Sequence, residues 1–232
     1  MSHQIVSKDE WIAARKRLLS KEKEFTRQRD ELSRARRELP WERVDKQYVF
    51  ETATGPQTLP DLFDGRHQLA MYHFMFAPEW ENGCKSCSFW ADNFNGIVAH
   101  LKQRDVSFVA VSRAPWKKLH SFAQRMGWSF NWVSSGGNNF NFDYQVSFTE
   151  QQIRGDVDYN YDKRRFPATD APGVSVFLRD GDTVFHTYST FGRGIDTLNT
   201  AYNYLDLVPR GRDEGNLPST MAWVKLHDQY SN

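Results

Sequence analysis

Residues 68–90 read QLAMYHFMFAPEWENGCKSCSFW, and this stretch decides the fold. It begins with a nearly continuous apolar run over residues 69–76, which is typical of a β-strand covered on both faces. Pro78 ends the run, and after it come Cys84 and Cys87, the only two cysteines in the chain. Two residues separate them, a spacing that suits a redox pair, a metal clip or a pair of inert buried side chains.

The residues that follow the pair favour the redox interpretation. Apolar residues recur at helical spacing after Cys87, which predicts one helix from about Cys84 to Gln103. Cys84 then lies at a helix N-terminus, where free backbone N–H groups and the helix dipole favour a thiolate. We therefore predict that Cys84 is the attacking thiol and that Cys87, one turn further on, is the resolving thiol. The side chain of Lys85 either supports the thiolate or points into water.

A metal clip needs further ligands, and the sequence supplies them poorly. His100 follows Cys87 at a zinc-finger-like spacing, but no second histidine comes within the next five residues. On a helix, His100 would lie about 20 Å beyond Cys87, far outside the reach of a zinc bond of about 2 Å. We therefore expect no metal and no cofactor, while an inert cysteine pair stays open as an alternative.

The flanking segments predict a parallel sheet that continues into a hairpin. VSFVAVS at 106–112 predicts a second buried strand, and PWKKLHSFAQRMG at 115–127 predicts a helix that Gly127 ends. The order strand, helix, strand, helix implies parallel strands joined by crossovers. GVSVFLRDGDTVFHTYS at 173–189 predicts two strands joined by an Asp-Gly-Asp turn, and a helix is expected over about 195–205.

The pattern weakens between these segments, where we expect an insertion at about 128–171. SSGGNN at 134–139 consists of residue types that are typical of turns, and FNFDYQVSF at 140–148 is compatible with a strand. The remainder of this region is polar and has no clear periodicity.

The N-terminal segment predicts a long helix. Ser7 and Glu10 form a capping box, Pro40 stops the helix, and apolar residues recur every seven positions at Trp11, Leu18, Phe25, Leu32 and Leu39. We expect this stripe to pack on the rest of the chain or to form a homodimer. The predicted domains are a helical arm at 1–40 and a body at 41–232.

Composition narrows the class of function. The 232 residues carry a formal net charge of +1, which gives no general attraction to nucleic acid or to a membrane surface. No apolar run approaches the ~20 residues that span a bilayer. Two cysteines are few for a secreted disulfide framework, so we expect a cytoplasmic protein.

The motifs together make a resemblance recognisable. FAPEW followed by GCKSC, the strand–helix–strand unit, and APGVSVFLRDGDTVFHTYS after an insertion resemble the thioredoxin superfamily. GRHQLAMYHFMFAPEWENGCKSCSFWADNFNG, VSRAPWKKL, RMGWSFNWVSS and WVKLHDQY resemble, more narrowly, a bacterial thioredoxin-like family catalogued as domain of unknown function 899. The resemblance implies an α/β thioredoxin-like fold, with a central mixed sheet flanked by helices, a long N-terminal helix and an insertion before the C-terminal hairpin.

The resemblance also implies site residues. Cys84 and Cys87 match the active-site pair, and Pro172 matches the cis-proline that faces the pair and presents backbone groups to an extended substrate. Trp80 stands three residues further from the first cysteine than the corresponding tryptophan does in thioredoxins. The buried acid of thioredoxins has no counterpart in AMYHFMF, where His73 is either a substitute for it or a hydrogen-bonded core residue.

Two further candidates lie near the predicted pair. Arg113 ends the second parallel strand, where it either orients an anionic substrate or the thiolate, or is an ordinary surface arginine. Trp80 either lines a substrate groove or belongs to the core. The expected function is thiol–disulfide exchange with a protein or small-molecule disulfide or peroxide. A non-catalytic interaction module of the same fold is the alternative.

Overall fold

The structure is a computed structural model that describes residues 3–231. It divides into two compact units, Met1–Pro40 and Trp41–Asn232. The outermost ends of the two predicted domains, residues 1, 2 and 232, lie outside the described residues. Within residues 3–231, no helix is long and apolar enough to cross a membrane.

The first unit is one long helix, α1 (Lys8–Arg37), which confirms the predicted N-terminal helix. The Ser7 hydroxyl accepts a hydrogen bond from the backbone N–H of Glu10 at 3.3 Å, and the Glu10 carboxylate accepts one from the Ser7 N–H at 2.9 Å. This reciprocal capping box pairs two of the N–H groups that a helix start leaves open. The five apolar residues of the seven-residue stripe are 44% to 65% exposed.

The second unit combines a mixed sheet with helices. Its described strands and α-helices, in chain order, are β1 (Glu42–Arg43), β2 (Val49–Thr52), β3 (Gly55–Thr58), β4 (Gln68–His73), α2 (Lys85–Ala91), α3 (Phe94–Lys102), β5 (Val106–Ser112), α4 (Trp116–Arg125), β6 (Asn131–Ser134), α5 (Phe140–Asp143), β7 (Val157–Tyr159), β8 (Asp162–Arg164), β9 (Gly173–Asp180), β10 (Thr183–Phe191) and α6 (Thr200–Leu205).

The central sheet has eight strands in the order β1-β10-β9-β4-β5-β6-β2-β3. Strands β4, β5 and β6 are parallel, which confirms the parallel pairing expected from the strand, helix, strand, helix order. Strands β9 and β10 form the predicted antiparallel hairpin, and β9 pairs antiparallel with β4. The fold is therefore thioredoxin-like, with the loop and helix that carry the cysteines following a central strand.

Strand β4 presents its side chains to two different apolar clusters. Tyr72 belongs to the cluster that contains Cys87, whereas Met71 belongs to a second cluster. Because neighbouring side chains of a strand point to opposite faces, the sheet separates these two parts of the core. His73 stacks on Phe140 of the second cluster, with ring centroids 5.8 Å apart. It therefore lies on the face opposite the cysteines.

The predicted helix from about Cys84 to Gln103 is wrong in one respect, because it is two helices. α2 ends at Ala91, and α3 begins at Phe94. The Asn93 side-chain amide donates to the carbonyl of Phe89 at 3.3 Å, which competes with regular helical bonding at this point. The Asp92 carboxylate accepts from two residues far away in the chain, the indole of Trp128 and the ring of His227, at 2.9 and 2.7 Å.

The region between 128 and 171 contains more regular structure than its sequence indicated. Asn131–Ser134 forms strand β6 inside the central sheet. FNFDYQVSF is compatible with a strand by sequence, but its first four residues form the short helix α5. The Asn138 side-chain oxygen accepts from the Phe140 N–H at 2.8 Å, and this local turn starts the helix.

The C-terminal segment packs on the body through buried apolar residues. The helix predicted over about 195–205 is a 3₁₀-helix over Gly192–Leu198 followed by α6, because Asn199 caps the new helix by accepting from the Tyr202 N–H at 2.9 Å. In the tail, Val224 and Leu226 are buried.

Candidate dithiol site

The backbone places Cys84 at the start of α2. Its N–H donates to the carbonyl oxygen of Met75 at 3.0 Å, and the residue forms the N-cap of the helix. Gly83 makes this path possible, because a Cβ atom on it would lie 2.8 Å from the buried ring of Phe74. The loop of residues 81–83 that separates Trp80 from the pair therefore ends in a glycine packed against the core.

Cys84 is partly exposed and its environment favours the thiolate. A hydrogen bond from the Cys87 thiol makes the largest contribution to lowering the pKa of Cys84, and burial opposes it. The backbone N–H groups of Cys87 and Ser86 and the Ser86 hydroxyl lower it further, so the pKa falls below its ordinary value to about 7. A thiol with this pKa is substantially ionised at neutral pH.

Cys87 has the opposite character. It is 2% exposed, and burial followed by the neighbouring Cys84 raises its pKa well above the ordinary value for a thiol. The backbone N–H of Met75 donates to its sulfur at 3.5 Å. Both cysteines are free thiols. One turn of helix thus holds a partly exposed, acidic thiol beside a buried, protonated one.

The charged residue between the cysteines, Lys85, is bonded to the C-terminal segment. The Lys85 ammonium donates to the carbonyl of Ala222 in the C-terminal segment at 3.1 Å. The residue is exposed, in agreement with the second of the two alternatives, and it also makes this contact. Within residues 3–231, no group of three or more acidic, histidine or cysteine side chains is arranged to hold a metal ion.

Pro172 lies beside the pair, but not with the predicted peptide geometry. It lines a cavity of about 190 Å³ together with Cys87, which we call the Cys87 cavity. No cis peptide bond occurs among the described residues, so the expectation of a cis bond before Pro172 is wrong. The chain before it runs extended as the partner of residues 146–148: Ala171 donates to the carbonyl of Val146 at 2.9 Å, and the ordinary trans bond continues this direction.

Arg113 is engaged with the loop that precedes Pro172. Its Nε donates to the carboxylate of Asp170 at 2.7 Å, and its guanidinium lies 5.4 Å from the ring centroid of Phe142. Asp170 also accepts from the Ser147 hydroxyl at 2.6 Å, and its side chain is only 3% exposed. The positive charge is thus balanced by a buried carboxylate, and a role for Arg113 in substrate binding stays a prediction.

Trp80 is partly buried and packs on the same apolar cluster as Cys84. Its backbone N–H donates to the carbonyl of Ala77, which closes a turn after β4.

Of the two alternatives for His73, the structure shows a hydrogen-bonded core residue. His73 is 1% exposed, and its Nε2 lies 2.8 Å from the Ser175 hydroxyl. Burial, and then His186, lower the pKa of His73 to about 3, so the ring is neutral.

Comparison with known proteins places the chain in a family. The family described as bacterial protein of unknown function, DUF899, matches residues 1–230. The chain belongs to this family. None of the curated proteins compared with this DUF899 protein is similar to it.

Several solved structures resemble this DUF899 protein. Peroxidoxin BcpB from Mycobacterium tuberculosis is 14% identical with a TM-score of 0.46, over 69% of this chain and 93% of that one. The bacterioferritin comigratory protein of Xanthomonas campestris is 14% identical with a TM-score of 0.43, over 66% and 88% of the two chains. A PrxQ mutant from Xylella fastidiosa is 15% identical with a TM-score of 0.42, over 68% and 89%.

Sequence reasoning missed Tyr72 in this DUF899 protein. The residue is 1% exposed, and its hydroxyl has no protein hydrogen-bond partner. It lines the Cys87 cavity, and burial, followed by the Cys87 thiol, raises its pKa well above the ordinary value. Tyr72 is a phenol and not a carboxylate, so it does not match the buried acid of thioredoxins. Alternation along β4 would have placed it on the face opposite His73.

Proposed function

We propose that this DUF899 protein is a thiol–disulfide oxidoreductase in which Cys84 attacks the substrate and Cys87 resolves the intermediate. The observation that carries the proposal is the contrast between the two thiols within one helical turn. Cys84 is partly exposed at the N-cap and its pKa is lowered, whereas Cys87, one turn further on, is buried and its pKa is raised. This division suits a nucleophile that is ionised first and a second thiol that reacts only within the protein.

The two cysteine thiols alone supply the two electrons that reduce a disulfide substrate. The Cys84 thiolate attacks one sulfur of a disulfide, the substrate S–S bond breaks, and the first product leaves as a thiolate that takes up a proton. Cys87 then loses its proton and attacks the Cys84 sulfur, which forms the Cys84–Cys87 disulfide and releases the second product. Two cysteine thiols are oxidised, and the substrate disulfide is reduced to two thiols. A dithiol reductant returns the pair to its starting state.

A peroxide is the second substrate class that the same thiols could reduce. The Cys84 thiolate would attack one peroxide oxygen and become a sulfenic acid, while the other oxygen leaves and takes up a proton. Cys87 would then displace water from the sulfenic acid and form the same disulfide. The two classes converge on one oxidised form, so rates with each substrate are needed to rank them.

The decisive experiment is a redox titration of the wild-type protein in buffers of graded oxidised and reduced glutathione, with a strong thiol oxidant as the end point. Mass spectrometry after acid quenching and alkylation should show one reversible loss of two hydrogens, and a peptide linking Cys84 to Cys87. The Cys87→Ser variant should instead trap a mixed disulfide on Cys84 when a disulfide is added. The Cys84→Ser variant, which keeps Cys87, is the matched control and should trap none. A wild-type pair that stays reduced throughout would refute the proposal.

The exposed stripe of α1 supports an additional proposal, self-association through this helix. Its apolar residues recur every seven positions, as in the seam of a coiled coil, and they are exposed in the single chain. A second copy of the same helix is the partner that this pattern fits. An interaction role of this kind is compatible with catalysis at the cysteines. A cytoplasmic location stays a prediction that rests on the low cysteine content.

A further inference from the structure

The Cys87 cavity is a space of about 190 Å³ that opens beside the buried thiol. Much of its wall is apolar, formed by Met75, Trp90, Pro172, Ile195 and Met221. The only sulfur of the cysteine pair in this wall belongs to Cys87. A space of this kind next to a reacting sulfur can hold a group that the substrate carries on its own sulfur.

The polar groups of the wall are nearly all bonded already. The Trp90 indole N–H donates to the carbonyl of Ile195 at 2.9 Å, and the Pro172 carbonyl accepts from the Tyr159 hydroxyl at 2.7 Å. The Tyr72 hydroxyl is buried without a hydrogen-bond partner. A buried hydroxyl without a partner is costly, so a ligand atom that accepts its hydrogen bond would be favoured.

We propose that the Cys87 cavity binds the apolar substituent of a small organic disulfide, and that the Tyr72 hydroxyl donates a hydrogen bond to the sulfur that leaves. This inference rests on the proposed function and names the class of substrate for the same site. An apolar cavity of about 150 Å³ is large enough for benzene, so this one accepts a group of about the size of a butyl chain or a phenyl ring.

In the reaction, Cys84 attacks one sulfur of the disulfide RSSR while one R group occupies the cavity. The Cys84–S–SR bond forms, the substrate S–S bond breaks, and the other sulfur leaves as RS⁻ with the bonding electron pair. The Tyr72 hydroxyl stabilises that developing negative charge by its hydrogen bond, and water then supplies the proton. Attack by Cys87 on Cys84 releases the second RS⁻ and leaves the protein disulfide.

The test compares dibutyl disulfide with bis(2-hydroxyethyl) disulfide in single-turnover reactions of the reduced protein. Each rate constant is divided by the rate with free dithiothreitol, which removes the intrinsic difference between the two substrates. We expect a corrected preference of about tenfold or more for dibutyl disulfide, as apolar pockets give for added methylenes.

Ile195→Phe, which fills the cavity, should abolish this preference, whereas Ile195→Leu, which conserves volume, should keep it. Tyr72→Phe should lower the dibutyl rate about tenfold through the lost hydrogen bond.

A binding measurement separates failure of this inference from failure of the proposed function. The Cys84→Ser, Cys87→Ser double variant cannot turn over, and butane-1-thiol is added to it while the indole N–H signal of Trp90 is followed by NMR. Saturable shifts of this signal would support the cavity site even if the wild type reduced neither disulfide. No shift, or a wild-type preference for the hydroxyethyl substrate, would overturn it. The binding measurement needs no filled variant to fold.

Discussion

The backbone N–H of Met75 donates to the sulfur of Cys87 at 3.5 Å, so the buried thiol is tied to the main chain just beyond strand β4. The carbonyl of the same residue accepts from the N–H of Cys84 at 3.0 Å. One residue of the extended segment therefore positions both cysteines through its backbone. The backbone of the β4–α2 connection therefore contributes directly to the geometry of the pair.

The first prediction concerns the order in which the thiols react. Because the pKa of Cys84 is lowered to about 7, its alkylation rate should rise through a midpoint near pH 7, whereas Cys87 should label slowly until strongly alkaline pH. Iodoacetamide labelling between pH 5 and 10, with peptide mass spectrometry, measures both. Faster labelling of Cys87 would reverse the assigned roles.

Variants at position 87 test the cause of this low pKa. The Cys87 thiol donates the hydrogen bond that lowers the pKa of Cys84 most. Cys87→Ala removes the donor, so the labelling midpoint of Cys84 should move toward the value of about 8.5 for a free thiol. Cys87→Ser keeps a donor hydroxyl and should move the midpoint less. Equal midpoints in the two variants would show that the hydrogen bond is not the cause.

A second prediction follows from the close contact at Gly83. A Cβ atom there would meet the rings of Phe74 and Phe122 at 2.8 and 3.0 Å, and both rings are buried. Gly83→Ala should lower the free energy of unfolding by about 1–3 kcal/mol, as overpacking commonly does. Gly96→Ala is the matched control, because no atom lies within 4 Å of its added Cβ and it sits in helix α3. The control should be neutral or slightly stabilising in urea denaturation, and an equal loss in both variants would contradict the packing argument.

The sequence predicted the central part of this fold because its signals are local. The apolar run over 69–76 and the cysteines at the next helix start lie within one short segment, as do the two strands of the hairpin. The break between α2 and α3 could not be predicted in this way, since the bonds to Asp92 come from Trp128 and His227, which are distant in sequence. Strand β6 was missed because only four residues form it.

The candidate site shows the same contrast between features that depend on neighbouring residues and features that depend on distant ones. The positions of Cys84 and Cys87 relative to α2 depend on spacing along one helix, which a sequence shows directly. The contact of Arg113 with Asp170, by contrast, joins the end of β5 to a loop that is 57 residues further along the chain. The segment before Pro172 pairs with residues 146–148, and the polar composition of that region did not indicate this pairing.

A third prediction tests self-association through α1. Phe25 is 65% exposed in the middle of the seven-residue stripe, so Phe25→Glu should disrupt a seam formed by two copies of the helix. Light scattering should give about twice the chain mass of 27.1 kDa for the wild type and the chain mass itself for the variant. Gln28→Glu adds the same charge outside the stripe and should keep the wild-type mass. A wild type that is monomeric at all concentrations would remove the basis for this proposal.

The final prediction concerns stability in acid and rests on His73. Burial holds this ring neutral in the folded protein, with a pKa of about 3, while in the unfolded chain a histidine takes up a proton near pH 6.5. Between these values the unfolded state binds more protons, so the free energy of unfolding should fall as the pH falls, by up to about 1.4 kcal/mol per pH unit.

His73→Gln keeps a polar side chain facing the Ser175 hydroxyl but cannot titrate. In urea denaturation at pH 4, 5, 6 and 7, this variant should lose stability less steeply than the wild type. His100→Gln, at an exposed histidine, is the matched control and should keep the wild-type slope. Parallel pH profiles for wild type and His73→Gln would show that this buried ring does not set the acid sensitivity of the protein.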